Sequence, residues 1–240
     1  MSAAPTLLEP VRGAPDFAKA DSAKADFAKA DSAKADFGQA DFTLATGADA
    51  AQMAALERLR AMLADWNGRM NLVGPATLVD FWGRHAWDSA QLLKIQPAAR
   101  VWADIGAGGG FPGLILAILL KGQAGAHVHL IESQAKRCRF LQAVVEALGL
   151  PASVHNARAE EMALSVEIVT ARAVAPLARL LELARPFLDR GARGLFLKGQ
   201  GATAEIAEAR KLWRFEVKEI PSLSDPQGRI LQVTGLARGR

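Results

Sequence analysis

The sequence feature that most constrains this chain is the glycine-rich stretch at residues 104–113, which reads DIGAGGGFPG. It follows a short apolar run, Val101–Ile105, and precedes a second apolar segment at residues 114–120. Glycines permit positive φ and let bare backbone N–H groups approach a ligand, and Pro112 stands where a first helical turn tolerates proline. The pattern therefore predicts a strand, a ligand-binding turn and the start of a helix.

Composition sets the class of protein. The 240 residues are 50% hydrophobic and 22% charged, which suits one large domain or one domain with an appendage. The sequence has no apolar run of about 18–20 residues and no signal-peptide pattern at its start. Its one cysteine, Cys138, excludes an internal disulfide and a cysteine zinc site. We expect a soluble, cytoplasmic protein that does not insert into a membrane.

The charge is distributed unevenly. Residues 1–50 hold five basic and eight acidic side chains, whereas the remainder holds 24 basic and 17 acidic ones. A basic folded part is compatible with a polyanionic partner such as nucleic acid, but many basic domains bind none.

Residues 16–42 form an internal repeat in which DFAKA alternates with DSAKA. Phe17, Phe27 and Phe37 are ten residues apart, so on a helix each lies about 80° from the last and no apolar stripe forms. We therefore predict that residues 1–48 are a low-complexity, disordered extension. The alternative is a helical arm for an unknown partner.

The rest of the chain divides into a helical segment, residues 49–98, and a core, residues 99–240. Helical spacing of apolar residues predicts one helix from about 51 to 68 and a second from about 76 to 93. The core alternates strand and helix patterns and ends in a hairpin pair at 215–220 and 230–233. This alternation predicts an α/β fold with a mostly parallel sheet and helices on both faces.

Five polar stretches fall where the predicted strands end, and ligands of parallel sheets bind at that edge. They are residues 104–110, Glu132, residues 156–160, Arg172 and Lys198.

Two cofactors are compatible with such an edge. Gly108 begins a literal G-x-G-x-x-G pattern, which is a weak sign of a dinucleotide. An acidic residue before the glycines, Asp104, would instead repel a pyrophosphate and attract the ammonium group of S-adenosylmethionine. Glu132, at the end of the next strand, can accept both ribose hydroxyls. These carboxylates favour S-adenosylmethionine, and a nicotinamide-dependent oxidoreductase remains the alternative.

A set of short motifs occurs in a fixed order. They are Trp66-Asn67, Asn71-Leu72-Val73, Arg84-His85, Asp88-Ser89, residues 104–113, Glu132-Ser133, Lys136-Arg137, Phe140-Leu141, Arg158-Ala159-Glu160-Glu161, Ala171-Arg172-Ala173 and Leu197-Lys198-Gly199. Over about residues 51–235 the chain resembles the bacterial guanine-N7 methyltransferases of small-subunit ribosomal RNA, also called the glucose-inhibited division protein B family. Ala107 stands where that family often has Ser or Thr, which would cost one cofactor hydrogen bond.

The resemblance implies a Rossmann-like class I methyltransferase fold with a seven-stranded sheet and an N-terminal helical segment. It implies S-adenosylmethionine as the cofactor and 16S ribosomal RNA or the small ribosomal subunit as the partner of a monomeric enzyme. Resemblance and strand-end position together give one set of cofactor-binding residues, which comprises Asp104, Gly106, Gly108, Phe111, Glu132, Ala159, Glu160 and Arg172.

Guanine N7 carries a lone pair and no proton, so we expect no general base and no metal. Arg172 and Lys198 are predicted to position the target by bonding guanine O6 or a phosphate, and Arg84, His85 and Lys198 to bind RNA. Two of these residues have a structural alternative: an ion pair with Asp104 or Glu160 for Arg172, and a packed core position for His85. A non-catalytic RNA-binding protein is the remaining alternative for the whole chain.

Overall fold

The structure, a computed structural model, describes residues 37–239. Most of the predicted extension and of its repeat, residues 1–36, lies outside this range. The end of the segment predicted as an extension forms a helix, α1 (Gln39–Thr46), with Phe42 fully buried. Phe37 stacks on Trp87 with ring centroids 5.7 Å apart. Residues 37–48 therefore pack against the helical segment. Phe42, which is not one of the three phenylalanines spaced by ten residues, is the buried residue that holds them there.

Helix α2 (Ala50–Met70) begins at a reciprocal cap. The Asp49 carboxylate accepts from the backbone N–H of Gln52 at 2.8 Å, and Gln52 Oε1 accepts from the N–H of Asp49 at 3.0 Å. Leucines at helical spacing on this helix are buried in the core; they are Leu56, Leu59 and Leu63. This is the first of the two helices that the spacing predicts.

The second predicted helix, at residues 76–93, is divided into three. Helix α3 (Pro75–Val79) ends at Asp80, whose φ of −90° and ψ of 49° leave the helical region. A π-helical turn (Phe81–Trp87) follows and continues into α4 (Asp88–Ile95). Single π-helical turns often occur at functional sites.

A seven-stranded sheet forms the centre of the core. Its strands are β1 (Val101–Ile105), β2 (His127–Glu132), β3 (Ala152–Asn156), β4 (Ile168–Arg172), β5 (Arg193–Lys198), β6 (Trp213–Pro221) and β7 (Arg229–Arg238). Their order is β3-β2-β1-β4-β5-β7-β6, with parallel pairing from β3 through to β5. The prediction of an α/β fold with seven strands is confirmed.

The sheet is mixed, because β7 runs antiparallel to both β5 and β6. The cause is the short turn between β6 and β7: two strands joined in this way pair as a hairpin, whereas parallel neighbours need a longer crossover. The hairpin predicted at the end of the chain is therefore the part of the sheet that is not parallel.

The crossover helices cover both faces of the sheet. They are α5 (Gly113–Leu120), α6 (Ala135–Leu148), α7 (Leu177–Leu188) and α8 (Ala202–Arg210). One apolar core joins α2, α5 and α6 to the sheet, and a second joins α7 and α8 to its other face. Every residue of α5 is buried, so the helix that follows the glycine turn is the most enclosed of the four. Within residues 37–239 no helix combines the length and the apolar character needed to cross a bilayer.

Candidate active site

The glycine loop between β1 and α5 is fastened to the end of β1 by Asp104. Its Oδ2 accepts from the backbone N–H of Gly113 at 2.9 Å, and the side chain is fully buried. Burial raises the pKa of Asp104 to about 7, although the bond from Gly113 opposes the rise. Its Oδ1 is buried without a hydrogen-bond partner among the described residues.

Glu132 holds the same loop from the end of β2. Its Oε2 accepts from the N–H of Gly108 at 3.1 Å, and its Oε1 accepts from the N–H of Gln134 at 2.8 Å. Arg137 Nη1 lies 3.8 Å from Oε2. The two predicted carboxylates thus come together at neighbouring strands, but both are buried and both bind backbone N–H groups.

The backbone of the loop needs glycine where it turns. Gly106 and Gly108 have φ of 65° and 53°, and a Cβ on Gly106 would lie 2.8 Å from Val174 Cγ2. Both glycines line the first of three cavities, the glycine-loop cavity, of about 310 Å³. Its charged and aromatic lining residues are Arg84, His85, Phe111, Arg137 and Arg172. That lining has no acidic side chain, but its arginines pair with acids outside it: Arg84 with Asp225, Arg137 with Glu132 and Arg172 with Asp88.

The ring of Phe111 contacts two polar side chains, His85 and Arg172. The His85 ring lies face to face with it, with centroids 4.3 Å apart and planes 10° apart, and the Arg172 guanidinium lies 5.2 Å from its centroid. The π-helical turn supplies His85 and the end of β4 supplies Arg172. Three residues predicted separately from the sequence are therefore in direct contact.

His85 is neutral in this position. Burial and the nearby charges of Arg172 and Arg84 lower the pKa of His85 to about 3. Its Nδ1 lies 2.8 Å from Arg172 Nη2, and its Nε2 is buried without a partner among the described residues.

Arg172 joins β4 to the helical segment. Its Nη1 donates to the backbone oxygen of Arg84 at 2.6 Å and to Asp88 Oδ2 at 3.2 Å. Burial lowers the pKa of Arg172, and the Asp88 carboxylate opposes that shift. The structural alternative considered for Arg172 was an ion pair with Asp104 or Glu160; its partner here is Asp88.

The second cavity, the β3 cavity of about 220 Å³, lies beside the first and shares Gly106 with it. Ile105, Ile131 and Ala159 line it with apolar atoms, and Glu160 also belongs to its lining. Glu160 Oε1 accepts from Arg179 Nη2 at 3.1 Å. Its walls suit a flat apolar ring with polar groups at the rim.

The third cavity, the β4–β5 cavity of about 400 Å³, lies at the carboxyl ends of β4 and β5. It shares Arg84, Arg172 and Ala173 with the glycine-loop cavity. Lys198 lines it, but its ammonium group is already engaged, at 2.6 Å from the backbone oxygen of Ala175 and 2.7 Å from Glu205 Oε2. Lys198 is therefore held as one member of an ion pair.

Comparison with protein families gives a match over residues 52–231 to the family described as GidB, rRNA small subunit methyltransferase G. The chain belongs to this family. The resemblance inferred from the ordered motifs is thereby confirmed.

Curated relatives with the name "Ribosomal RNA small subunit methyltransferase G" match most of the chain. The relative from Caulobacter vibrioides is 57% identical over 199 residues, which is 83% of this chain and 92% of the relative. The relative from Methylorubrum populi is 49% identical over 187 residues, which is 77% of this chain and 89% of the relative. The match thus covers the helical segment and the core.

Solved structures share the fold at low identity. A point mutant of MtNAS has a TM-score of 0.50 at 17% identity and covers 92% of this chain and 81% of its own. Mitomycin 7-O-methyltransferase MmcR also has a TM-score of 0.50, at 14% identity, and covers 82% of this chain and 71% of its own. This likeness speaks for the fold alone, and it confirms a class I methyltransferase-like architecture.

Three residues of the site were not singled out from the sequence. Asp88 belongs to the motif Asp88-Ser89, and its carboxylate binds Arg172. Ala173 has a φ of 55° at the wall between two cavities, a conformation that alanine rarely adopts. Glu205 lies seven residues after Lys198, across a loop, and no local spacing indicates their pairing. Asp88 and Ala173 both stand inside ordered motifs, whereas the sequence offers no signal for Glu205.

Proposed function

We propose that this protein is an enzyme that transfers a methyl group from S-adenosylmethionine to N7 of guanine in 16S ribosomal RNA. The observation that carries the proposal is membership of the rRNA small subunit methyltransferase G family over residues 52–231. The fold and the three adjoining cavities at the strand ends agree with it.

The residues present fit S-adenosylmethionine. The Glu132 carboxylate is fixed at the end of β2, where acidic side chains accept ribose hydroxyls in related sheets. The β3 cavity next to it offers Ile105, Ile131 and Ala159 to an adenine ring. Asp104 Oδ1 is a buried oxygen beneath the loop, without a hydrogen-bond partner among residues 37–239.

The proposed cofactor contacts follow the shapes of two cavities. Gly106, Gly108, Phe111 and Arg172 would contact the methionine half in the glycine-loop cavity, and Ala159 and Glu160 the adenine half in the β3 cavity. Asp104 would act through the loop, since it is fully buried and its Oδ2 is bound to Gly113.

When bound, S-adenosylmethionine would supply a methyl group on a positively charged sulfur, which would keep the S–C electron pair when the methyl carbon is transferred to guanine N7. N7 has no proton to lose, so no side chain need act as a base. The task left to the protein is to place the base in line and exclude water.

Arg172 is suited to positioning the target guanine. Three of its hydrogen bonds fix its plane against Arg84, His85 and Asp88, while guanidinium donors not used in these bonds remain for guanine O6. Lys198 would act less directly, because its ammonium already binds Glu205 and Ala175. We propose Arg172 as a contact to the target and Lys198 as a positioning residue.

Arg84 and His85 lie on the π-helical turn beside both larger cavities. We propose that Arg84, half exposed and paired with Asp225 at 3.4 Å, exchanges that partner for an RNA phosphate. His85 is buried, so we expect it to shape the site from beneath. The target base would leave its stack to reach these residues. We expect a monomeric enzyme in the cytoplasm, where small subunits are assembled.

The alternative functions are not favoured. Curated relatives of this chain are named as ribosomal RNA methyltransferases, which speaks against a nicotinamide-dependent oxidoreductase. The intact pair of carboxylates, Asp104 and Glu132, speaks against a binding protein that has lost its catalytic site.

The test is methylation by the purified protein of small ribosomal subunits from cells that lack it. Mapping N7-methylguanosine by borohydride and aniline cleavage should show one new site in 16S ribosomal RNA. Thermal denaturation should show stabilisation by S-adenosylhomocysteine but not by NAD. Arg172→Ala and Lys198→Ala should both slow single-turnover methylation at saturating cofactor and RNA. No new site, or stabilisation by NAD alone, would overturn the proposal.

A further inference from the structure

The β4–β5 cavity is large enough for a base and lies next to the proposed methyl donor. Its volume of about 400 Å³ is typical of a small-molecule site. The wall that it shares with the glycine-loop cavity consists of Arg84, Arg172 and Ala173. The two cavities meet at these residues, so a base in one would lie next to a methyl donor in the other, and Ala173 at their boundary has a positive φ.

Glu205 is the fixed acceptor in this cavity. Its Oε2 accepts from Lys198 Nζ at 2.7 Å and from the N–H of Leu177 at 2.6 Å. The side chain remains 31% exposed, and no hydrogen bond within the described part of the chain reaches its Oε1. One carboxylate oxygen is thus held in place while the other is available to a ligand.

The other acids in the cavity lining are occupied. Asp225 accepts from the N–H of Gln227 at 3.0 Å with Oδ1 and faces Arg84 with Oδ2. Asp88 accepts from Ser224 at 2.6 Å with Oδ1 and from Arg172 at 3.2 Å with Oδ2. Of these three acids, Glu205 is the one that has a carboxylate oxygen, Oε1, to which no described residue is bonded.

A carboxylate at this point selects guanine. On its Watson–Crick edge guanine presents two adjacent donors, N1–H and the exocyclic amino group, whereas O6 at the end of that edge and N7 beyond it are acceptors. Adenine would turn its N1 acceptor toward the carboxylate and be repelled. A guanine bound to Glu205 by these two donors turns N7 away from Glu205, so N7 stays free for methylation.

We propose that the β4–β5 cavity receives the extruded target guanine and that Glu205 reads its Watson–Crick edge, accepting from N1–H and from the amino group. Lys198 fixes the carboxylate and is a positioning residue for this recognition. The inference rests on the proposed function, because it assigns the substrate base of the same reaction.

The test compares guanosine with inosine, which lacks only the exocyclic amino group. Small subunits are reconstituted from RNA that carries either nucleoside at the target position, and kcat/KM is measured for each. With the wild-type protein we expect kcat/KM to be about ten- to a hundredfold lower on inosine, as for a lost hydrogen bond to a charged group. This comparison needs no variant and is independent of folding.

A variant and a matched control test whether Glu205 is the residue that recognises the amino group of guanine. In Glu205→Gln the preference for guanosine over inosine should fall to about threefold or less, because a neutral acceptor replaces the charged one. Glu208→Gln removes an exposed carboxylate from the same helix, which pairs with Lys211 outside the cavity, and should keep the wild-type preference.

The inference is overturned if the wild-type protein methylates both substrates equally, or if Glu205→Gln slows both by the same factor and so keeps the preference. A wild-type protein that leaves the guanosine substrate unmethylated would refute the proposed function, and the inference with it. Equal loss on both substrates would assign Glu205 a structural role at the start of α7.

Discussion

The guanidinium Nη2 of Arg172 lies 2.8 Å from Nδ1 of His85. Because arginine has only donors, His85 accepts at Nδ1, and the single proton of its neutral ring is on Nε2. The same guanidinium donates to the backbone oxygen of Arg84 at 2.6 Å. The π-helical turn is therefore fastened to the end of β4 at two neighbouring residues by one planar side chain.

Arg172→Lys should destabilise the fold although it keeps the charge. A lysine ammonium cannot reproduce the planar fork, so a buried acceptor, His85 Nδ1 or Asp88 Oδ2, would lose its donor. We expect the free energy of unfolding to fall by about 1–3 kcal/mol in urea denaturation. As a control, Arg60→Lys on the exposed face of α2 should change it by less than about 0.5 kcal/mol. Equal stability of the two variants would contradict the network.

The elements around the site could be predicted because their signals are local. The apolar spacing of residues 177–188 predicts a helix, and these residues form α7 (Leu177–Leu188), where five side chains face the second core. Polar residues after apolar runs marked the strand ends correctly, and the parallel strands gathered Arg172 and Lys198 at one edge. Periodicity within about ten residues was sufficient for these elements.

Features that depend on tertiary contacts could not be predicted. The division of the second predicted helix at Asp80 follows from packing of the π-helical turn on Phe111, which no local pattern encodes. Gln91, in α4, hydrogen-bonds Ser222 and Ser224, more than 130 residues away. The burial of Asp104 beneath its loop also had no local signal. The sequence pattern of an acidic residue at a strand end is the same whether its side chain points inward or toward a ligand.

Asp104→Asn should make the protein less sensitive to alkaline pH. The pKa of Asp104 is raised to about 7 by burial, above its ordinary value of 3.8, so the stability that it contributes is complete below pH 3.8 and is lost as pH rises through about 7. Asparagine stays neutral and keeps an acceptor for Gly113. Between pH 6 and pH 8.5 the wild-type free energy of unfolding should fall by on the order of 1–2 kcal/mol more than that of the variant. Parallel pH curves for the two proteins would refute this assignment.

His129→Gln should reduce the loss of stability in acid. Burial and the charges of His127 and His155 lower the pKa of His129 to about 4, below its ordinary 6.5. Its contribution is therefore complete above pH 6.5 and is lost as pH falls toward 4. Because the side chain is partly exposed, we expect a difference of on the order of 1 kcal/mol. Urea denaturation at pH 6.5 and pH 4.5 should show a shallower decline for the variant, whose amide can still bond His155.

Gly113→Ala should disturb both the fold and the proposed cofactor site. A Cβ there would clash with the Leu130 side chain and lie 2.7 Å from Asp104 Oδ2, the atom that fastens the loop. Overpacking of this kind lowers the free energy of unfolding by about 1–3 kcal/mol. We expect the variant to bind S-adenosylhomocysteine more weakly in calorimetric titration, because the loop that carries Gly106 and Gly108 would shift.

Gly68→Ala provides the matched control for the same substitution. Gly68 lies within α2 and nothing is within 4 Å of the added Cβ, so alanine should raise the free energy of unfolding by about 0.5–1 kcal/mol through its helix propensity. Its affinity for S-adenosylhomocysteine should equal that of the wild type. If Gly113→Ala also kept both wild-type stability and wild-type affinity, the bond from Gly113 to Asp104 could not be what fixes the glycine loop.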